Sequence, residues 1–577
     1  MASAEVYYRR CLKADPRSPQ ALRFLGLLAQ QAGHYEKSIR LLGEALAVNP
    51  DDPDTLNSLA KAHVSQGQLQ PASLCYRRLA QLFPHSAQAH HRLGAALEWL
   101  GDWEAAAASY GRALTLQPNS PDLYASLARL QSKQGAVGEA VESCRRALAL
   151  DPHRYEIYGL LGQALINGGD YGAAVEVYQR ALAFKPDSAY AVFGLGYLFE
   201  RQGDLTAARE SYQQALRFDP RLVDAHLHLG ITHLLQGDWA KAAEGFERVR
   251  ELAPDNPEAR TFLAHLHLLQ GNFVRGWREY EYRWSTPHFL RHRRKFLPPL
   301  WKGEPLEGSR ILLHAEQGVG DTLQFVRYVP LVHARGGRVV LEVPRDLHRL
   351  LAITEGAEGV IRRGEAFTEI DWQCPLLSLP LAFATELDSI PAKIPYVHPE
   401  DALLEAWRRR LQGNALRIGL VWSGSPAFPY ERWRSISLEQ LAPLTNIEDT
   451  IFYSLQVGPL AGQVKELGSR VRLIDLQGEL KDFADTAAAV ANLDLVISID
   501  TAVAHLAGAL GRPVWILLHL SADWRWLLDR QDSPWYPTAR LFRQSTLGNW
   551  RDVVDRVERE LRKLVAKNTF RTRDRPA

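Results

Sequence analysis

Four short stretches hold the side chains that could do chemistry. "DTAVAH", Asp500 to His505, puts a carboxylate, a hydroxyl and an imidazole within six residues. The apolar run "DLVISID" leads into it and an alanine-rich run follows, so Asp500 should end a strand and Thr501 should start a helix. The first amides of a helix lack partners inside it and favour an anion, helped by the helix dipole. His505 lies four residues after Thr501, on the same helical face, within reach of a phosphate or sugar at that end. Taken singly, Asp500 and Thr501 also read as ordinary N-caps and His505 as a satisfied interface histidine; together at one junction they favour a phosphate or diphosphate site. "HAEQGVGDTLQFVRYVP", His314 to Pro330, sets Gly318 and Gly320 around a valine and ends the loop on Asp321. It can grip a phosphate, supply an acid or base, or turn a corner. It lacks the Lys-Ser/Thr ending of a Walker cradle, and "GVGD" lacks the full GxGxxG of a dinucleotide-binding turn. Two further loops, Ser423–Ser425 and Gln456–Gly458, also carry small or polar groups.

The elements around these loops alternate. "RILLHA", "RVVLEV" and "GVIRR" read as strands separated by the helical runs "TLQFVRYVPLVHARG" and "RDLHRLLAIT". After a proline-rich passage, "LRIGLVWSGS", "TIFYSLQVG", "VRLIDL", "DLVISID" and "RPVWILL" continue the pattern, and "WRDVVDRVERELRKLVAK" reads as a closing helix. Strand–helix alternation predicts parallel sheets of Rossmann type, here two lobes over 310–398 and 399–577 with a cleft between them. Ligands of such sheets sit beyond the carboxyl ends of the strands, where all four loops fall.

The first half obeys a different period. Eight prolines recur every 34 residues from Pro16 to Pro254, eight glycines from Gly33 to Gly271, and eight small residues from Gly26 to Ala264. The small residue lets two helices approach, the glycine turns the chain, and the proline ends the second helix. This resembles the tetratricopeptide repeat (TPR), and the resemblance spans residues 1–284. It implies a superhelix whose groove binds a peptide or protein, a passive spacer or dimerisation arm being the alternative. The final unit, "GNFVRGWREYEYRW", is aromatic and suits a cap on the next domain; residues 285–309 read as a linker, and the basic run Arg291 to Lys295 as its solvated face or an anion contact. The chain opens in the second half of a repeat, so the first half is expected to lie outside it.

"DTAVAHLAGALGRPV" resembles the D-T-x-x-x-H-x-A-x-A-L-G-x-P signature of heptosyltransferase-like GT-B glycosyltransferases (family nine), and "HAEQGVGDTLQFVRYVP" resembles their first loop. Over residues 298–566 the chain is similar to bacterial TPR-linked glycosyltransferases, including those that modify flagellin, through "PLWKGEPLEG", "GLVWSGSP", "YSLQVG" and "DWRWLLDRQDSPWYP". The domain combination is also similar to that of the O-GlcNAc transferases. The resemblance implies an α-helical TPR superhelix followed by an α/β GT-B-like domain with two Rossmann-like lobes. It implies an inverting transfer of sugar from a nucleotide donor (CMP-, UDP- or other NDP-linked) to a Ser or Thr hydroxyl of a protein bound in the TPR groove. Asp321 would be the general base. Gln317, Gly318 and Gly320 would line the acceptor side. Asp500, Thr501 and His505 would bind the nucleotide and its phosphate, with Ser423, Gly424 and Ser425 along the phosphates. The departing nucleotide gains negative charge and needs a cation; Arg432 and Arg434 in "ERWRS" are the candidates, Arg434 preferred, against a reading as exposed loop charges. Gln456 would hold the base or ribose. Trp524 and Arg525, with Trp526, would stack on a sugar or the acceptor, or pack beneath the lobe. Related proteins often carry Asn where Ser425 stands, and a proline near His519.

Composition narrows the classes. A formal net charge of +2 over 577 residues gives no bias toward nucleic acid or a membrane surface. The four cysteines are scattered, with no paired spacing, which fits a reducing cytoplasm and no zinc site. No apolar run is long enough for a membrane span and no signal core opens the chain. No metal or other cofactor beyond the nucleotide-sugar co-substrate is expected. The competing function is a TPR scaffold whose second half has lost activity.

Overall fold

The computed structural model describes residues 2–291, 294, 298–366, 369–425 and 431–573. Of the basic run Arg291 to Lys295, the side chains other than Arg294 lie outside them, as does Pro426 of the "WSGSP" loop. The chain divides into two compact units, Met1–Leu229 with Pro287–His292, and Gly230–Thr286 with Arg293–Ala577.

The first unit is a run of paired helices, from Ala2–Ala14 to the first half of Val223–Leu235. The three in-phase positions act locally. Gly101 and Gly135 end their helices at φ 77° and 79°, where a side chain would be strained. A Cβ on Gly94 would lie 2.7 Å from the Tyr110 ring, and one on Gly162 would meet Tyr178 at 2.2 Å, so the small register is set by an aromatic from the next helix. Ser and Asp cap many of the helices, as Asp102 does by accepting from Ala105 N–H.

The second unit begins with the remaining repeat helices, Trp239–Leu252, Pro257–Leu269 and Phe273–Tyr280, and continues into an α/β region of parallel strands. The aromatic last helix is docked: Trp277 is 2% exposed, and its indole N–H donates to the Thr385 carbonyl at 3.0 Å.

Four strands make one sheet: β1 (Arg310–His314), β2 (Arg338–Val343), β3 (Ala357–Arg362) and β4 (Trp372–Pro375), in the order β3-β2-β1-β4. Six make the other: β5 (Leu416–Val421), β6 (Thr450–Ser454), β7 (Leu473–Asp475), β8 (Leu495–Ile499), β9 (Val514–Leu518) and β10 (Ala539–Arg543), ordered β10-β9-β8-β5-β6-β7. Both orders reverse direction at the first strand of the sheet, the second sheet having the full doubly wound order. The central strands are buried on both faces; all five residues of β8 and of β9 are buried, as parallel strands covered by helices require, while β3 and β7, at the sheet edges, hold no buried residue. The reversal points lie between β1 and β4, and between β5 and β8, where sheets of this kind open a crevice.

Candidate functional site

The loop after β1 leads into the helix Val319–Phe325, and the chain after β8 leads into the helix Ala502–Ala509. These two helices pack on each other. Gly320 explains how. A Cβ there would lie 2.8 Å from His505 Cδ2 and 3.4 Å from Ala502 Cα. The glycine expected to let a ligand approach lets an imidazole approach instead. Gly318 has an ordinary φ of −72°, and its N–H donates to Asp321 Oδ2 at 2.9 Å.

Asp321 is spoken for on its other oxygen too. Arg525 donates from Nη2 to Asp321 Oδ1, from Nη1 to Asp523 Oδ1 at 2.8 Å, and from Nε to Gln324 Oε1. The guanidinium lies 4.3 Å from the Trp524 ring centroid. Side-chain exposure falls from 31% at Asp523 and 21% at Asp321 to 7% at Arg525, so the cation forms the floor and the carboxylates the rim. Burial raises the Asp321 pKa, with Arg525 opposing it. Burial pulls the same way on Asp523, yet Arg525 holds that carboxyl below its usual value.

Arg525 and Trp524 are therefore not presented to a sugar or an acceptor. Trp524 is 1% exposed. It packs edge-on against Trp277 at 5.1 Å and Trp535 at 6.1 Å, so the packing alternative is the one found. Gln317 donates to the Tyr280 hydroxyl at 2.8 Å, tying the loop to the last repeat helix.

The "DTAVAH" stretch divides. His505 is 5% exposed. Its Nδ1 is 2.9 Å from the Tyr536 hydroxyl, and its ring stacks on Trp526 at 5.4 Å. Burial pushes its pKa down to about 3, so the ring is neutral, with Nε2 3.8 Å from Asp500 Oδ1. The expected reach to a phosphate is closed off by packing. Asp500 is itself buried, which raises its pKa. Thr501 does not cap the helix: its hydroxyl meets Ser498 Oγ at 2.9 Å. The amides of Ala502 and Val503 make no hydrogen bond among the described residues, and the Thr501 side chain does not cap them.

The β5 loop is held from beneath. Gln456, 4% exposed, accepts from the Trp422 and Ser423 amides at 3.2 and 3.0 Å and donates to the Val457 carbonyl at 3.1 Å. It latches β5 to β6 and is not displayed to a base or ribose. Glu431 Oε1 accepts from the Gly424 amide at 2.7 Å, and Oε2 from Arg434 Nε at 2.9 Å. Arg434 thus lies on Gly424, where a Cβ would come within 2.2 Å of its Nη2. Arg432 lies 5.7 Å from the Trp433 ring centroid and is exposed, as is Ser425.

Sequence reasoning missed Asp523, Glu431, Glu316 and Arg283. The first two follow a local signal, a carboxylate two or three residues before an arginine. Arg283 and Glu316 do not: Arg283 is 1% exposed and donates to Glu281, to Glu316 at 3.1 Å and to Ser378 Oγ at 2.8 Å. One cation serves two carboxylates; burial raises Glu316 to about 7 despite it. Among the described residues no group of three or more His, Cys, Asp or Glu side chains is placed to hold a metal ion, and no helix is long and apolar enough to cross a membrane.

Fold and site together define a TPR helical array followed by an α/β region of two parallel sheets. Tetratricopeptide-repeat family models match residues 2–53 and 160–222, 29–97 and 200–275, and 123–154, and a TPR-repeat model matches 100–135. The chain is similar to protein FlbA of Caulobacter vibrioides, 29% identical over 323 residues, which is 50% of this chain and 52% of that one. It thus spans about half the length of that relative. Among solved structures, MamA from Desulfovibrio magneticus is 20% identical with a TM-score of 0.28, over 29% of this chain and 95% of that one. Yeast Tom70 is 17% identical with a TM-score of 0.35, over 43% and 54%. At TM-scores below 0.5 these two carry no functional weight.

Proposed function

We propose that the second unit is a GT-B-type glycosyltransferase that moves a sugar from a nucleotide donor to a Ser or Thr hydroxyl of a protein, flagellin being the candidate, recruited by the repeats in the cytoplasm. One observation carries the reading: the Asp321 loop and the uncapped start of the Ala502–Ala509 helix, each beyond a strand at the reversal point of its own sheet, are brought together by the Gly320–His505 contact. The donor phosphate takes the Ala502 and Val503 amides and the Thr501 hydroxyl, with Arg434 beside Gly424 as the balancing cation. The acceptor oxygen bonds to the anomeric carbon as the carbon–phosphate-oxygen bond breaks. The bonding pair leaves with the nucleotide, the hydroxyl proton passes to Asp321, and the configuration inverts.

Asp321 must give up its Arg525 bond to act. That engagement is what favours the second reading, an inactive scaffold. A thermal-shift screen of CMP, UDP, ADP and GDP, followed by hydrolysis of the matching nucleotide sugars, separates the two. The enzyme reading expects one nucleotide to stabilise the protein, and Asp321→Asn to keep that shift while losing turnover. No shift from any nucleotide favours the scaffold, and full turnover in Asp321→Asn removes that residue as the base.

A further inference from the structure

The helix Pro257–Leu269, the first helix of the last repeat, belongs to the second unit and packs on the turn Trp524–Trp526. Ala264, Leu268 and Leu269 sink into the core of that unit. His265, beside them, stays partly exposed. The charges that reach its ring are those of Asp523 and Arg525, and His265 acts back on Asp523. Asp523 also caps the turn, accepting from the Arg525 amide at 3.0 Å. His265 is thus carried by a repeat helix that packs on the turn holding Arg525.

The groups of the site differ in what they have free. Asp321, His505, Gln456 and Arg525 are all engaged. His265 makes no hydrogen bond among the described residues, and burial, partly offset by Asp523, keeps its ring neutral. A neutral imidazole offers one donor and one acceptor, the same pair that a peptide backbone offers per residue. His265 also falls in a repeated register. It stands one residue past the small position; the same place is taken by Leu27, Lys61, Ala95, Arg129, Gln163 and Tyr197 in the first unit, none of them buried, and by the buried Ile231 in the second.

We propose that His265 is an acceptor-binding residue, supplied by the last repeat, that hydrogen-bonds the peptide segment carrying the target hydroxyl. This rests on the glycosyltransferase reading. The probe is a pool of capped peptides with one central Ser or Thr between randomised flanks, with the nucleotide sugar selected by thermal shift; hydrolysis is the reaction with water as acceptor. His265→Ala should raise the peptide KM about tenfold, the worth of a lost hydrogen bond or two, with kcat and hydrolysis nearly unchanged. His265→Gln, which keeps one donor and one acceptor, should recover part of the loss. An unchanged peptide KM in His265→Ala overturns the proposal, as does hydrolysis falling in step with transfer, which would place the ring on the donor. Wild-type hydrolysis with no transfer to any peptide counts against a peptide at His265. A wild-type protein inert toward every nucleotide sugar removes the parent reading, and this one with it.

Discussion

Replacing Gly320 by alanine tests whether the two loops meet as described. In an open helical position Gly→Ala stabilises by about 0.5–1 kcal/mol, because the backbone loses less entropy on folding. At Gly320 the added carbon would stand 2.8 Å from His505 Cδ2. The ring cannot retreat, being bonded to Tyr536 at 2.9 Å and stacked on Trp526, which is itself 0% exposed. Overpacking of this kind costs about 1–3 kcal/mol, so the clash outweighs the propensity gain and the net effect is a loss of about 1–2 kcal/mol. Urea titration followed by tryptophan fluorescence reads the correct unit. Of the 15 tryptophans, Trp99 and Trp103 lie in the first unit and the other 13 in the second. Gly111→Ala, in the helix Trp103–Leu116 with nothing within 4 Å of the added carbon, is the control and should stabilise the first unit by circular dichroism. The decisive arm is the double mutant: in a His505→Ala background the Gly320→Ala penalty should vanish. Stabilisation by Gly320→Ala alone, or an undiminished penalty without the imidazole, would refute the contact.

Three other outcomes follow from the same geometry. Glu316 titrates near 7 in the folded state against 4.5 for a free carboxyl. The folded state holds this proton more tightly, so its stabilising effect is complete below 4.5 and is lost as pH rises through 7, at up to about 1.4 kcal/mol per pH unit; Glu316→Gln should flatten that slope in a urea series between those values. Gln456→Ala leaves the buried Trp422 and Ser423 amides without their acceptor and should cost about 1–3 kcal/mol in the same urea assay, whereas a ribose-binding Gln456 would change nucleotide affinity and spare stability. His505→Ala deletes a buried ring and removes one hydrogen-bond partner of the Tyr536 hydroxyl, so it should lower stability by about 2–4 kcal/mol; a nucleotide thermal shift that disappears in a variant of unchanged stability would return His505 to direct phosphate contact.

Much of the site's address was readable in one dimension. The strand–loop–helix pattern put Asp321, Ser423 and Thr501 at strand ends because parallel sheets place their loops there. The roles were less readable. Gln456 looked displayed at a strand end, but its oxygen is consumed by the Trp422 and Ser423 amides of the neighbouring strand. His505 looked aimed along its helix at a phosphate, but it is taken by Tyr536, 31 residues on. Whether a polar side chain is free depends on what packs against it, and that partner comes from another element.

The amino-acid sequence by itself determined the repeats and the alternation. A 34-residue period of small residue, glycine and proline is a local instruction: each acts on the helix it sits in or the next one, so spacing alone carries it. Eight of the ten strands of the second half were likewise legible from short-range apolar period, whereas β4 and β10 were not read from it. Only the tertiary structure decided which charges face each other. Asp321 and Arg525 are 204 residues apart, and the order in which parallel strands cross over sets their meeting. It also decided that the last repeat helices are built into the catalytic candidate's own core, since Trp277 finds its hydrogen-bond partner 108 residues away at Thr385. Burial then made His505 neutral and raised the Glu316 carboxyl to about 7, because desolvation acts through every atom packed around a group, whatever its distance along the chain.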